Sequence, residues 1–185
     1  IITDRLTQSI VNALSLIELS RGPLKDDARV TLSGTRPLLN GETYYYGVSL
    51  GGIQGASTFS VSRHITRGIF AVPGGSWSNI LPRSVVYAPI RTLINVLYPD
   101  PLLQQEFIAL LQYRFDHTDG INLGRLAFRE PLSDAPAGRL AVIQEAIGDC
   151  QVPNLSTELL ARALDFGQLQ PAHENIYGLT ARNSP

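Results

Sequence analysis

Apolar residues recur at helical spacing from the start of the chain. Leu6, Ile10, Leu14 and Ile17 share one face of a helix that Thr3 or Asp4 opens. Arg21-Gly22-Pro23 closes it, because glycine accepts the left-handed cap and proline cannot continue the helix. Residues 24–42 are polar and broken by Gly and Pro, which predicts a long loop with local pairing around Val30-Thr31-Leu32. Thr43 to Val48 reads as an aromatic-rich strand. A sharp turn follows at Ser49, then a helix of small residues from about Gly52 to Ser62. Ile69-Phe70-Ala71-Val72 is a buried-type strand closed by Pro73-Gly74-Gly75. Strand, helix and strand in succession predict an α/β fold, a parallel sheet with crossover helices.

Beyond Asn79 the strand signal stops until about Gly138. Helices are predicted over roughly 83–97 and 101–114, separated by Tyr98-Pro99-Asp100-Pro101, and a shorter one over 121–128. Leu103, Phe107, Leu110 and Leu111 recur on one face of the second. Arg139 to Gln144 resumes a buried strand, Asn154–Leu164 a helix, and Phe166–Gln170 a short strand. A helical insert between sheet strands reads as a cap. The organisation expected is a core over 1–78, a cap over 79–138, and returning core over 139–185.

Composition removes several function classes. The chain is 44% hydrophobic and 17% charged, with a net charge of -1. Its 15 Lys and Arg are scattered and form no basic run, so there is no electrostatic footprint for nucleic acid or an anionic membrane surface. Every long apolar stretch is interrupted before it reaches membrane-spanning length. Cys150 is the only cysteine, which rules out an intrachain disulfide. A start at Ile1-Ile2-Thr3-Asp4, without methionine, reads as a processed product or a fragment.

The chemistry centres on Tyr46-Gly47-Val48-Ser49-Leu50-Gly51-Gly52. Gly-x-Ser-x-Gly between a strand and a helix makes a tight turn that lifts the serine hydroxyl above the sheet edge. Small residues at Gly47, Gly51, Gly52, Gly55 and Ala56 let strand and helix cross closely. The Leu50 N–H, at the start of the helix, is the expected oxyanion donor. Gly74-Gly75-Ser76-Trp77-Ser78 is a weaker serine motif without a closing glycine. With Pro82 close behind, no supporting helix is expected, and the segment reads as a strand-end loop with Trp77 packing over the site.

Asp149 follows the 139–144 strand and precedes a helix, where a catalytic acid gathers at the carboxyl edge of a parallel sheet. A helix-capping aspartate would occupy the same kind of turn. Of the three histidines, His64 lies at the far end of the elbow helix and His117 within the helical insert. His173 follows Asp149, so the order Ser49, Asp149, His173 is that of an α/β triad. A solvated loop histidine is the other reading of His173. Asp116-His117-Thr118-Asp119 matches no standard metal-ligand spacing, and capping within the insert is the reading it favours.

These features resemble the α/β-hydrolase family. They are the Gly47–Gly51 elbow, the strand at 69–72, the helical insert, and Asp149 before Val152-Pro153. Arg21-Gly22-Pro23-Leu24 before the elbow strand, and Ser49 to Ile53 as Ser-Leu-Gly-Gly-Ile, are similar to bacterial members of esterase or lipase type. The resemblance implies a serine hydrolase acting on an ester, less readily an amide, with no cofactor and a small-molecule or lipid ester as substrate. Tyr87, Tyr98, Phe107 and Tyr113 would help the cap shape an apolar acyl pocket, or simply pack it. The resemblance also implies an N-terminal half of the sheet, with a second oxyanion donor, outside this chain. A missing segment or second chain would then cover the strand at 43–48. Similar bacterial proteins are often exported, which implies an extracytoplasmic location. A different class stays open, a non-catalytic structural or binding piece of a larger or split protein.

Overall fold

The computed structural model describes residues 2–32, 36–37 and 39–183, with no side-chain description at 36 and 37. Ile1, residues 33–35 and 38 of the expected loop, and residues 184–185 lie outside the described residues. The fold is mixed α/β, with a small parallel sheet and helices.

Helix α1 (Ile2–Arg21) presents Leu6, Ile10 and Ile17 inward as its periodicity predicts. A short antiparallel pair, β1 (Thr31–Leu32) with β2 (Arg36–Pro37), occupies the following polar region. Then come β3 (Thr43–Val48), α2 (Leu50–Val61) and β4 (Ile65–Ala71). After β4 the chain forms α3 (Trp77–Arg83), α4 (Ala88–Leu97), α5 (Pro101–Phe115), α6 (Gly120–Leu123) and α7 (Arg125–Phe128). It returns through β5 (Leu140–Gln144), α8 (Asn154–Ala163), β6 (Gly167–Gln170) and β7 (Thr180–Asn183).

The main sheet has the order β3-β4-β5, all parallel, with Tyr46 opposite Ile69 and Ile69 opposite Val142. Strand period alternates its faces. Tyr45, Gly47, Ile65, Gly68, Phe70, Ala141 and Ile143 face inward. Helix α2 lies on that face because its small residues permit close approach. A Cβ on Gly55 would fall 2.2 Å from the Tyr45 ring, and one on Gly52 would fall 2.8 Å from the Ala71 carbonyl. Phe59 of α2 meets Phe70 of β4 edge-on, with centroids 5.7 Å apart, both fully buried. Burial of each such ring stabilises the fold by roughly 1.5–3 kcal/mol. At its end α2 is stopped by Ser62, whose Oγ accepts the N–H groups of His64 and Ile65 at 3.1 Å each.

The opposite sheet face carries Tyr44, Tyr46, Val48, Ile69, Leu140 and Val142, all exposed. Parallel sheets are ordinarily covered on both faces. Among the described residues β3 pairs only with β4, which leaves its other edge open there.

The helical segment between β4 and β5 joins the core at both ends. Trp77, Ile80 and Phe115 pack with Ile53 of α2 and with Val152, while Ala127 and Phe128 pack against Phe59, Leu160 and Leu164. Its middle stands outside: α4 has no buried residue, and Phe115 is the one buried residue of α5. The predicted helix at 121–128 is broken at Gly124, where a Cβ would fall 2.7 Å from the Gly120 carbonyl. Arg139 is buried over the Phe59 ring, 4.0 Å from its centroid, and its guanidinium nitrogens find no acceptor among the described residues. Burial holds its pKa down to about 10.

Candidate active site

Ser49 closes β3 and caps α2. Its N–H donates to the Ala71 carbonyl at 3.0 Å, and its carbonyl accepts from Ile53 at 2.9 Å. Between these two bonds the backbone takes φ 55° and ψ -120°, a region that side chains avoid. The local sequence makes this possible. A Cβ on Gly47 would sit 2.3 Å from the Gly51 carbonyl oxygen, so only glycine lets the helix fold back onto the strand. The Gly51 carbonyl in turn accepts from the Tyr45 hydroxyl at 2.7 Å. Gly51 itself differs from expectation. A Cβ there would meet nothing within 4 Å, because that side of the turn is open.

The Ser49 side chain makes no capping hydrogen bond to α2, and the residue as a whole is partly exposed. The N–H groups of Leu50 and its successors open the twelve-residue α2 and have no carbonyl four residues back within the helix. An oxyanion beside Ser49 would meet those donors and the positive end of the helix dipole.

Because β3, β4 and β5 are parallel, their carboxyl ends share one rim. Ser49, the 72–76 loop and the turn 145–153 all lie along it. Hydrogen bonds tie these loops together: Gly75 N–H to the Ser156 carbonyl at 3.0 Å, Thr157 hydroxyl to the Pro73 carbonyl at 2.6 Å, and Val85 N–H to the Cys150 carbonyl at 2.9 Å.

Asp149 lies in the last of these turns. Its Oδ1 accepts from the N–H groups of Gln151 at 2.7 Å and Val152 at 3.0 Å, which fixes the carboxylate against its own loop. The residue that shapes this turn, missed in the sequence, is Asn154. Its side chain donates to Glu145 at 2.7 Å and to the Ala146 carbonyl at 2.8 Å, and accepts from the Gly148 N–H at 2.8 Å. Burial raises the Glu145 pKa; the Asn154 hydrogen bond opposes the rise, and the carboxylates of Glu158 and Glu174 add to it.

The histidines are dispersed. His64 Nε2 lies 2.9 Å from Glu18, and His117 Nε2 lies 3.0 Å from the Thr7 hydroxyl, both on α1. His173 is exposed in the loop between β6 and β7. Among the described residues no hydrogen bond joins it to Ser49 or Asp149, and β6 pairs with β7 instead of extending the main sheet. The structure thus brings Ser49, Leu50 and Asp149 to one rim, and among the described residues no hydrogen bond links His173 to them.

No protein-family model matches this chain, and no curated protein or solved structure does either. The site therefore rests on its own geometry.

The second serine motif departs from expectation. A helix, α3, does follow Ser76, with Pro82 tolerated in its last turn. Its opening is secured from afar: buried Asp119 accepts the N–H of Ser76 at 3.0 Å and of Trp77 at 3.2 Å. The same carboxylate takes Gln112 Nε2 at 3.0 Å and the Ile121 N–H at 3.0 Å. Asp119 caps α6 as its sequence position suggests, while its grip on α3 spans |i−j| of 43 and left no local signal. Trp77 is a core residue, 4% exposed, stacked on Phe115 at 5.1 Å and edge-on to Tyr87 at 6.4 Å. Tyr98 stacks on Phe107 at 5.0 Å, and Tyr113 faces solvent. A cavity of about 520 Å³ lies between β5, α8 and β6, away from Ser49. No helix among the described residues is long and apolar enough to cross a membrane.

Proposed function

We propose that the chain is the nucleophile-and-acid part of a serine hydrolase of the α/β-hydrolase type, acting on an ester bond through an acyl-enzyme on Ser49. The observation that carries this reading is the backbone of Ser49, at φ 55° between a parallel strand and the helix it caps. A strained serine at that junction presents its hydroxyl above the sheet rim, as a nucleophile elbow requires. In the first step Ser49 Oγ bonds to the substrate carbonyl carbon and its proton passes to an imidazole. The Leu50 N–H stabilises the oxyanion, and the alcohol leaves with the proton. Water then repeats the sequence and releases the acid.

Asp149 is the proposed orienting acid, with Oδ2 left for the imidazole. His173 is the proposed base. Support comes from the chain order Ser49, Asp149, His173, which is that of an α/β triad. Catalysis by this histidine requires its imidazole to bond both Ser49 Oγ and Asp149 Oδ2. A histidine from a segment beyond this chain would serve otherwise. The same reading supplies a cover for β3: another segment or a second chain pairs with its open edge and lies over Tyr44, Tyr46 and Val48.

One observation favours a second reading, a non-catalytic structural or binding piece. It is the absence, among the described residues, of a histidine bonded to Ser49 or Asp149. A fluorophosphonate probe separates the two. Labelling of the wild type that is lost in both Ser49→Ala and His173→Ala supports the triad as proposed. Labelling lost only in Ser49→Ala places the base elsewhere. Labelling that survives Ser49→Ala removes Ser49 from the chemistry, and an unlabelled wild type supports the non-catalytic reading.

A further inference from the structure

We propose that the cavity between β5, α8 and β6 binds a carboxylate with an apolar chain, and that Arg139 pairs with the carboxylate. Ser49 does not line this cavity, so the inference stands without catalysis there. The cavity holds about 520 Å³, within the range of roughly 300–1,000 Å³ typical of small-molecule sites. Leu140, Val142 and Leu169 form part of its wall together with Phe128 and Phe166. The three aliphatic residues are 61%, 45% and 52% exposed, so their surface is open to an apolar chain.

Charge selects the head group. Three carboxylates line the cavity, and each has a partner. Glu145 accepts from Asn154 at 2.7 Å, Glu158 lies 3.7 Å from Arg162, and Asp165 lies 3.1 Å from Arg129. The lining arginines differ. Arg182 lies against Gly167 and forms no ion pair among the described residues. Arg139 is 7% exposed, and none of its guanidinium nitrogens has an acceptor among the described residues. Burial lowers its pKa only to about 10, so it is a cation at neutral pH. A buried cation without an acceptor is costly, and a carboxylate supplies the two oxygens that a guanidinium fork matches. The guanidinium lies 4.0 Å from the Phe59 centroid, and that ring packs on Phe128 of the cavity wall at 5.7 Å. The charge therefore sits next to the wall, where a swing of the long side chain brings it to a head group.

Isothermal titration of the 185-residue chain with decanoate, decanol, decylammonium and decyl phosphate, each below its micelle concentration, tests the proposal. Decanoate should bind at least about tenfold more tightly than decanol, and decylammonium should not bind. Arg139→Met keeps an unbranched stem and removes the charge. It should weaken decanoate by about tenfold or more and leave decanol unchanged. Leu169→Asn should weaken both, with the circular dichroism spectrum unchanged. No binding of decanoate, equal binding of decanoate and decanol, or undiminished decanoate binding by Arg139→Met would overturn the proposal. Tighter binding of decyl phosphate than of decanoate would overturn the carboxylate assignment. The wild-type ranking of the four probes decides the matter even where the methionine variant fails to fold.

Discussion

The N–H of Ser49 donates to the carbonyl of Ala71 at 3.0 Å, so the last rung between β3 and β4 falls on the residue that turns the chain. Ile53, one helical turn on, holds the Ser49 carbonyl at 2.9 Å. With both backbone groups of Ser49 committed, the turn cannot relax without breaking a strand bond or a helix bond. A strained conformation persists where its surroundings over-determine it in this way.

The strain gives a test that needs no substrate. At φ 55° and ψ -120° a glycine meets no Cβ penalty, so Ser49→Gly is expected to stabilise the fold by about 1 kcal/mol. Ser49→Ala keeps the Cβ and should leave stability near the wild type. Urea midpoints of the two variants provide the comparison. A glycine variant less stable than the alanine variant would mean that the backbone at 49 is relaxed.

The two glycines of the elbow motif are not equivalent, and this yields a second expectation. Gly47→Ala places a methyl 2.3 Å from the Gly51 carbonyl oxygen, a backbone atom that can withdraw only by moving α2. A loss of about 3 kcal/mol or more, or failure to fold, is expected. Gly51→Ala meets nothing within 4 Å and lies in the first turn of a helix, so it should be neutral or gain up to about 1 kcal/mol. Equal losses at both positions would show that a further element, absent from this geometry, packs on Gly51.

What the sequence made legible was local. The elbow, α1, β4 and the β5-to-α8 turn follow from periodicity, glycine spacing and helix stops within a few residues. What escaped was held together across the chain. Helix α3 was unexpected because Pro82 argued against it, whereas the N–H groups at its start are satisfied by Asp119. Trp77 read as packing over the site from a strand-end loop, but Phe115, far along the sequence, stacks on it in the core. The position of His173 depends on where β6 pairs, and strand partnership is not encoded in the Gly167–Gln170 run. Asn154 resembled an ordinary helix-opening residue, although its amide spans the Asp149 turn.

That turn also makes stability depend on pH in a defined direction. Burial raises the Glu145 carboxyl above its usual 4.5, and the nearby carboxylates of Glu158 and Glu174 reinforce the effect against the opposing Asn154 hydrogen bond. A carboxyl whose folded pKa exceeds its unfolded one binds its proton more tightly when folded. Its stabilising contribution is therefore complete below about 4.5 and is lost as pH rises through the higher folded value. Glu145→Gln keeps an oxygen to accept from Asn154 and cannot ionise. The urea midpoint of this variant should match the wild type at pH near 4 and exceed it increasingly toward neutrality, with the two curves parting just above the ordinary glutamate range. A constant offset between the curves would assign the effect to packing, and a wild type that gains on the variant as pH rises would reverse the assigned sign.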